Sequence, residues 1–263
     1  MNARDLARAA ARSLAAIAIA VFPAFATGAE VPLVAAASDL RFALDEIAAA
    51  WARETGQNVR VVYGSSGNFR RQIAEGAPFD LFLSADESLV FALAKEGFTV
   101  DDGIPYAIGR LALIVPAESQ LKLDPELKDI GPAIADRRLR KFAIANPEHA
   151  PYGRAAQEAL TRVGAWNALS GHLVLGENVA QAAQFATSGS AQGGIVALSL
   201  ALSPGALGTA RYVAIPDRLH MPLRQRMVLT KRADARVRDF YRYLQQPAAR
   251  AVLVRHGFTL PDN

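Results

Sequence analysis

The 263-residue chain contains no cysteine, so it can form no disulfide and offers no thiol for a lipid anchor. Charged residues make up only 21%, and no low-complexity tract interrupts the chain, which argues for a packed globular protein. GxxxxGK[ST] is absent, so a P-loop is excluded on pattern. Gly64-Ser65-Ser66-Gly67 does not match the GxSxG nucleophile elbow, and no partnered His–Asp pair is visible. His149, His172, His220 and His256 are dispersed without an i, i+4 pair, so no zinc site is expected.

What is present begins with an export signal. Arg4, Arg8 and Arg12 form a positive start, Leu14 to Ala26 an apolar stretch, and Thr27-Gly28-Ala29 a small-residue cleavage site. Those 13 apolar residues, broken by Pro23, fall short of the about 20 that span a bilayer. Residues 1–29 therefore read as a signal peptide cleaved near Ala29, leaving a soluble periplasmic protein. Cleavage removes three arginines and Asp5, so the net charge falls from +4 to +2. No broad basic field for nucleic acid remains. With 51% hydrophobic residues, a mature domain of this size buries enough apolar surface to stand without disulfides.

From Val31 onward, strand and helix patterns alternate. VPLVAAA (31–37) reads as an apolar strand. Leu40, Leu44, Ile47 and Trp51 then lie on one face of a helix over 39–54, stopped by Gly56. Strands follow at 59–63 and 81–83, with helices at 68–75 and 88–96. A strand at 109–115 leads into a charged, loop-like stretch from 118 to 140. A second series then runs through strands at 141–145, 173–175 and 194–198, with helices at 152–163 and 179–187. Further strands are expected at 212–215 and 226–230, and closing helices at 233–245 and 247–256. This βα alternation predicts mostly parallel sheets flanked by helices, in two successive units.

Short polar residues recur where strands give way to helices. Ser38 precedes one helix and Ser66 another. Ala150-Pro151-Tyr152-Gly153 opens a third, and Glu177-Asn178-Val179 a fourth, with Asn178 a natural N-cap. In an open α/β sheet such junctions share the carboxyl edge, where ligands bind. Each helix start carries free N–H groups and a partial positive charge, which suits an anion. A hydrogen bond to a charged group contributes about 1.5–3 kcal/mol, so six or seven could support sub-micromolar binding. Capping alone, worth about 1 kcal/mol per helix, is the better explanation of any one serine or asparagine taken singly.

AAASDLRFALDEIA, VVYGSSGNFRRQIAEGAPFDLFLSAD, FAIANPEHAPYGRAAQEAL and the C-terminal RHGF together resemble the periplasmic molybdate-binding proteins of ABC importers. The resemblance covers nearly all of the mature chain. It implies a two-lobed type II periplasmic-binding fold joined by two crossing strands, with a tetrahedral oxyanion held in the cleft. Lobe 1 would comprise 30–112 and 220–263, and lobe 2 would comprise 113–219. By position, the resemblance makes Ser38 and Ser66 ligand-holding serines and Tyr152 and Val179 backbone donors. It further implies molybdate or tungstate as ligand, a membrane permease as partner, a monomer, no catalytic activity and no cofactor. Sulfate or phosphate is the nearest alternative ligand, and a secreted serine hydrolase the enzyme alternative.

Two departures stand out. Some relatives place a tyrosine hydroxyl on the anion from the segment that reads GGIVALSL here, where this chain has Ala197. Asp39, directly after Ser38, reads as a carboxylate at a helix start pointing to solvent. Turned into the cleft, it becomes a further ligand-site candidate, repelling a dianion or accepting a proton from a protonated one. Elsewhere Asp86 reads as a turn or hinge residue, Arg70 and Arg71 as a solvated helix face, and Trp51 and Trp166 as core.

Overall fold

The computed structural model describes residues 31–261 except 204, 206 and 207. The export signal expected over residues 1–29 lies outside them. In chain order, β1 (Leu33–Ala37), α1 (Arg41–Thr55), β2 (Arg60–Gly64), α2 (Ser66–Ala74), β3 (Leu81–Ser84), α3 (Glu87–Lys95) and β4 (Ile104–Gly109) come first. Next are β5 (Leu111–Val115), α4 (Ile130–Ala135), β6 (Phe142–Ala145), α5 (Pro151–Arg162), β7 (Leu173–Gly176), α6 (Val179–Thr187), β8 (Gly193–Ala197), α7 (Leu198–Ala201) and β9 (Arg211–Ala214). Then β10 (Leu223–Leu229), α8 (Ala235–Tyr243) and α9 (Pro247–Arg255) return to the first sheet.

Two five-stranded sheets result, ordered β2-β1-β3-β10-β4 and β7-β6-β8-β5-β9. In the first, β1 pairs in parallel with β2 and β3, while β10 runs antiparallel to β3 and β4. The second repeats this plan, with β5 as the reversed strand. Four strands of each sheet thus share a direction, and the fifth enters directly from the other lobe. The chain crosses at Arg110 and again between β9 and β10. This is the two-lobed α/β fold expected from the sequence.

Strand periodicity assigns the core of the first lobe. Val34, Ala36, Leu81, Leu83 and Met227 face α1, α8 and α9, whereas Ala35, Phe82 and Val228 face Phe69, Val90 and Leu93 of α2 and α3. Both sheet faces are covered, so these strands carry apolar residues at consecutive positions. The α1 face is the predicted one: Leu40, Leu44, Ile47 and Trp51 are all buried. Gly56 ends that helix in the left-handed conformation at φ 71°, as its place after the last helical turn suggests.

Three local expectations change. A separate strand, β4, precedes Arg110, where the sequence pattern gave one strand beginning at 109. The stretch at 118–140 contains α4, whose Ile130 and Ala133 are buried although its flanks are charged. Ser38 begins a 3-10 turn, Ser38–Leu40, and α1 starts only at Arg41. No helix among the described residues is long and apolar enough to cross a membrane.

The C-terminal helices close the first lobe. Phe240 and Tyr243 of α8 pack on Trp51 with ring centroids 5.9 and 5.2 Å away. Phe240 is fully buried, so Phe240→Ala is expected to lower unfolding free energy by about 3–5 kcal/mol in chemical denaturation.

Candidate functional site

The carboxyl edges of the two sheets meet. β1 and β2 deliver Ser38 and Ser66 from the first lobe, and β6 and β7 lead to Tyr152 and Val179 of the second. Tyr152 stands at the second position of α5, after Pro151, and Val179 at the first of α6, so the helices supply no acceptor for their N–H groups. Asn178 caps α6 as expected, accepting from the N–H groups of Ala180 and Gln181 at 3.0 and 3.1 Å. Ser66 is not itself a cap: Ser65 holds that position and Ser66 is the first residue of α2.

Both serine side chains are oriented by backbone donors. The Ala85 N–H donates to Ser66 Oγ at 3.0 Å, and the Ala180 N–H donates to Ser38 Oγ at 3.2 Å. The second contact joins the lobes and brings the start of α6 to Ser38. Among the described residues, neither serine hydroxyl donates to a protein acceptor, so each retains its proton for a guest. Ser38, Ser66, Tyr152 and Val179 are all buried.

The lobes touch through several further bonds. The Ser65 hydroxyl donates to the His149 carbonyl at 2.6 Å, and the Gly67 N–H donates to the same oxygen at 3.0 Å. The Asn68 amide bonds Glu177, and Arg154 pairs with Asp86 at 2.5 Å. Asp86 also caps α3 by accepting from the Ser88 N–H at 2.9 Å. His149 is therefore an interlobe contact. Its imidazole Nδ1 lies 3.0 Å from Ser65 Oγ. Arg70 pairs with Glu96 on the surface of the first lobe, as expected of a solvated helix face.

Asp39 corrects the sequence reading. It is 1% exposed rather than solvent-facing. Its Oδ2 accepts from the Tyr152 hydroxyl at 2.9 Å and from Gln225 Nε2 at 2.6 Å, while the Ser199 hydroxyl donates to its carbonyl at 2.7 Å. The 3-10 turn accounts for the difference: it sits beneath α6 and α7 of the second lobe, not on an exposed first helical turn. Asp39 Oδ1 is buried without a hydrogen-bond partner. Burial pushes this carboxyl up from 3.8 to about 6, against the smaller opposing pulls of its bonds to Gln225 and Tyr152 and of the nearby Asp39 and Leu40 N–H groups. Burial, with the Asp39 charge nearby, also raises the Tyr152 and Tyr106 hydroxyls.

Gln225, Tyr106 and Ser199 carry no signal in the sequence. Gln225 reaches the interior where the β10–β4 ladder slips register between Gln225 and Arg226. Ala197, the position without a tyrosine, is fully buried at the end of β8. The described residues contain no cluster of three or more histidine, aspartate or glutamate side chains placed to hold a metal ion.

Residues 32–259 match the family model of the bacterial extracellular solute-binding proteins. The chain belongs to this family. Among solute-binding proteins, it is 35% identical to the molybdate-binding protein ModA of Rhodobacter capsulatus, over 95% of this chain and 96% of that one. It is 31% identical to ModA of Escherichia coli, covering 86% and 88% of the two chains. The solved periplasmic molybdate-binding protein of Azotobacter vinelandii superposes with a TM-score of 0.79 at 32% identity. That match covers 88% of this chain and all of the other.

Two expectations follow for this solute-binding protein. A Cβ at Gly67 would press into the His149 carbonyl oxygen. Gly67→Ala should therefore hold the lobes apart, giving a larger radius of gyration by small-angle scattering with unchanged far-UV circular dichroism. The raised Asp39 carboxyl means that the folded protein binds more protons than the unfolded chain between pH 3.8 and about 6. Stability is lost as pH rises through that window and is level above it. Asp39→Asn should thus stabilise the protein near neutral pH by about 3 kcal/mol, an advantage that shrinks as pH falls toward about 4 in thermal unfolding.

Proposed function

We propose that this chain is the periplasmic receptor of an ABC importer, capturing molybdate, and tungstate with it, as a monomer and delivering it to a membrane permease. The observation that supports this reading is that the Ser38 and Ser66 hydroxyls donate to no described acceptor, while Tyr152 and Val179 stand at helix starts whose N–H groups the helices leave unpaired. Neutral donors and helix starts suit a fully dehydrated oxyanion, because they stabilise its charge without a mobile cation competing for it. The names of the relatives supply the oxyanion: the Rhodobacter, Escherichia and Azotobacter proteins are named for molybdate. Lobe boundaries near residues 112 and 220 fit this reading. Closure would then be a population shift that the anion drives by bridging both lobes.

One observation favours a second oxyanion class. A buried carboxyl beside Ser38 opposes a dianion and would accept a proton from hydrogen phosphate. A hydrolase is the weaker reading. Ser65 lies 3.0 Å from His149 Nδ1, and His149 Nε2 lies 3.5 Å from Glu177 Oε2. However, the Ser65 hydroxyl donates to the His149 carbonyl, and serine and histidine come from different lobes. They would separate whenever the cleft opened to admit a substrate.

Calorimetric titration of anion-free protein with molybdate, tungstate, sulfate and phosphate tests the assignment. Molybdate and tungstate should bind at sub-micromolar concentration and sulfate far more weakly. Ser66→Ala and Ser38→Ala should each weaken molybdate binding by about 10- to 100-fold. A preference for phosphate or sulfate would assign the second oxyanion class instead.

A further inference from the structure

Four side chains from four elements meet beside the cleft. Asp39 comes from the turn after β1, Tyr106 from β4, Tyr152 from α5 and Gln225 from β10. The Tyr106 hydroxyl donates to Gln225 Oε1 at 2.7 Å, which turns the Gln225 Nε2 toward Asp39 and Tyr152. Both donors then converge on one carboxyl oxygen, Asp39 Oδ2, and the other is left bare. No described lysine, arginine or histidine bonds or pairs with Asp39. The titratable groups facing it are the Tyr152 and Tyr106 hydroxyls. From α6, α7 and β2, which also pack on this turn, no charged side chain contacts it, and Arg41 of α1 is exposed.

A buried carboxylate with one oxygen unpaired and no cation nearby is costly, whereas a proton on Oδ1 removes the charge and leaves both bonds to Oδ2 intact. We propose that Asp39, carrying a proton in the closed protein, is a positioning residue whose carboxyl group tethers the start of α5 to the first lobe through the Tyr152 hydroxyl. The tether fixes where the Tyr152 N–H stands relative to Ser38 and Ser66. Gly109 is an independent sign that the crossing strand is built around this cluster: a Cβ there would press on the Tyr152 hydroxyl and Gln225 Nε2. Burial, partly offset by the hydrogen bonds to the carboxyl, already lifts it to about 6. A bound dianion would lift it further.

In the open form Asp39 meets water and is ionised at neutral pH, so closing over an anion takes up a proton. This inference rests on the oxyanion-receptor reading. Its test is calorimetric titration with molybdate in two buffers of different ionisation heat, which counts the protons taken up on binding. The wild type should take up a fraction of one proton per molybdate at about pH 7, and more as the pH is lowered toward 6. Asp39→Asn preserves an acceptor for both donors. It should take up no proton and bind molybdate more tightly than the wild type at about pH 7, an advantage that shrinks as pH falls toward about 4, while Asp39→Ala should bind at least tenfold more weakly than Asp39→Asn. Tyr152→Phe keeps the backbone N–H but loses the tether, and should weaken binding about tenfold, mainly through faster release. Equal proton uptake by the wild type and Asp39→Asn, or undiminished affinity in Tyr152→Phe, would overturn the inference alone. Failure of all four anions to bind the wild type would remove the receptor reading and this inference with it.

Discussion

An anion loses its water when two lobes close on it, and the protein must replace that water with donors arranged beforehand. Ser38, Ser66, Tyr152 and Val179, the groups proposed for this role, stand where strands give way to helices in the two lobes. A helix start offers N–H groups that its own backbone cannot use, so donors are present whether or not a guest is bound. Serine adds a hydroxyl without adding charge. Six or so such donors, each modest, stabilise a dehydrated charge that one flexible cation would hold with less geometric selectivity.

The same constraint makes the interlobe contacts consequential. Each bond between the lobes stabilises the closed form and so changes how much of the anion's binding energy is spent on closure. His149 meets Ser65 and Gly67 through one carbonyl, Ser38 receives the Ala180 N–H, and Asp39 receives Tyr152. These groups stand at strand ends and in the first turns of helices, where each lobe faces the other. Asp39 is a buried carboxyl beside the neutral donors proposed to hold the anion, and its burial favours the protonated form.

Much of the architecture was legible because burial leaves a periodic trace. Leu40, Leu44, Ile47 and Trp51 recur at helical spacing, and all four are buried. The α6 helix is bounded as expected because Asn178 caps it through its own side chain, a local interaction. Local chemistry failed where long-range packing decided. The residues of α4 are short and flanked by charge, so their periodicity was too brief to recognise. Nothing near Gln225 announced that its side chain would turn inward, because a slip in strand register there is set by the neighbouring strand. Asp39 looked like a solvated residue on a helical first turn, but Gln225 of the first lobe and Tyr152, α6 and α7 of the second enclose it.

By itself the sequence determined the alternation of strands and helices and, through its resemblance to known proteins, the two-lobed family. The alternation follows from hydrophobic spacing and capping, interactions between residues close in the chain. Tertiary structure alone decided which groups face one another across the cleft. The meeting of Asp39 with Tyr152 and Gln225 spans 113 and 186 residues of chain, so no local pattern encodes it. Nor does local sequence set a carboxyl's affinity for protons, which depends on the water excluded when the second lobe comes down.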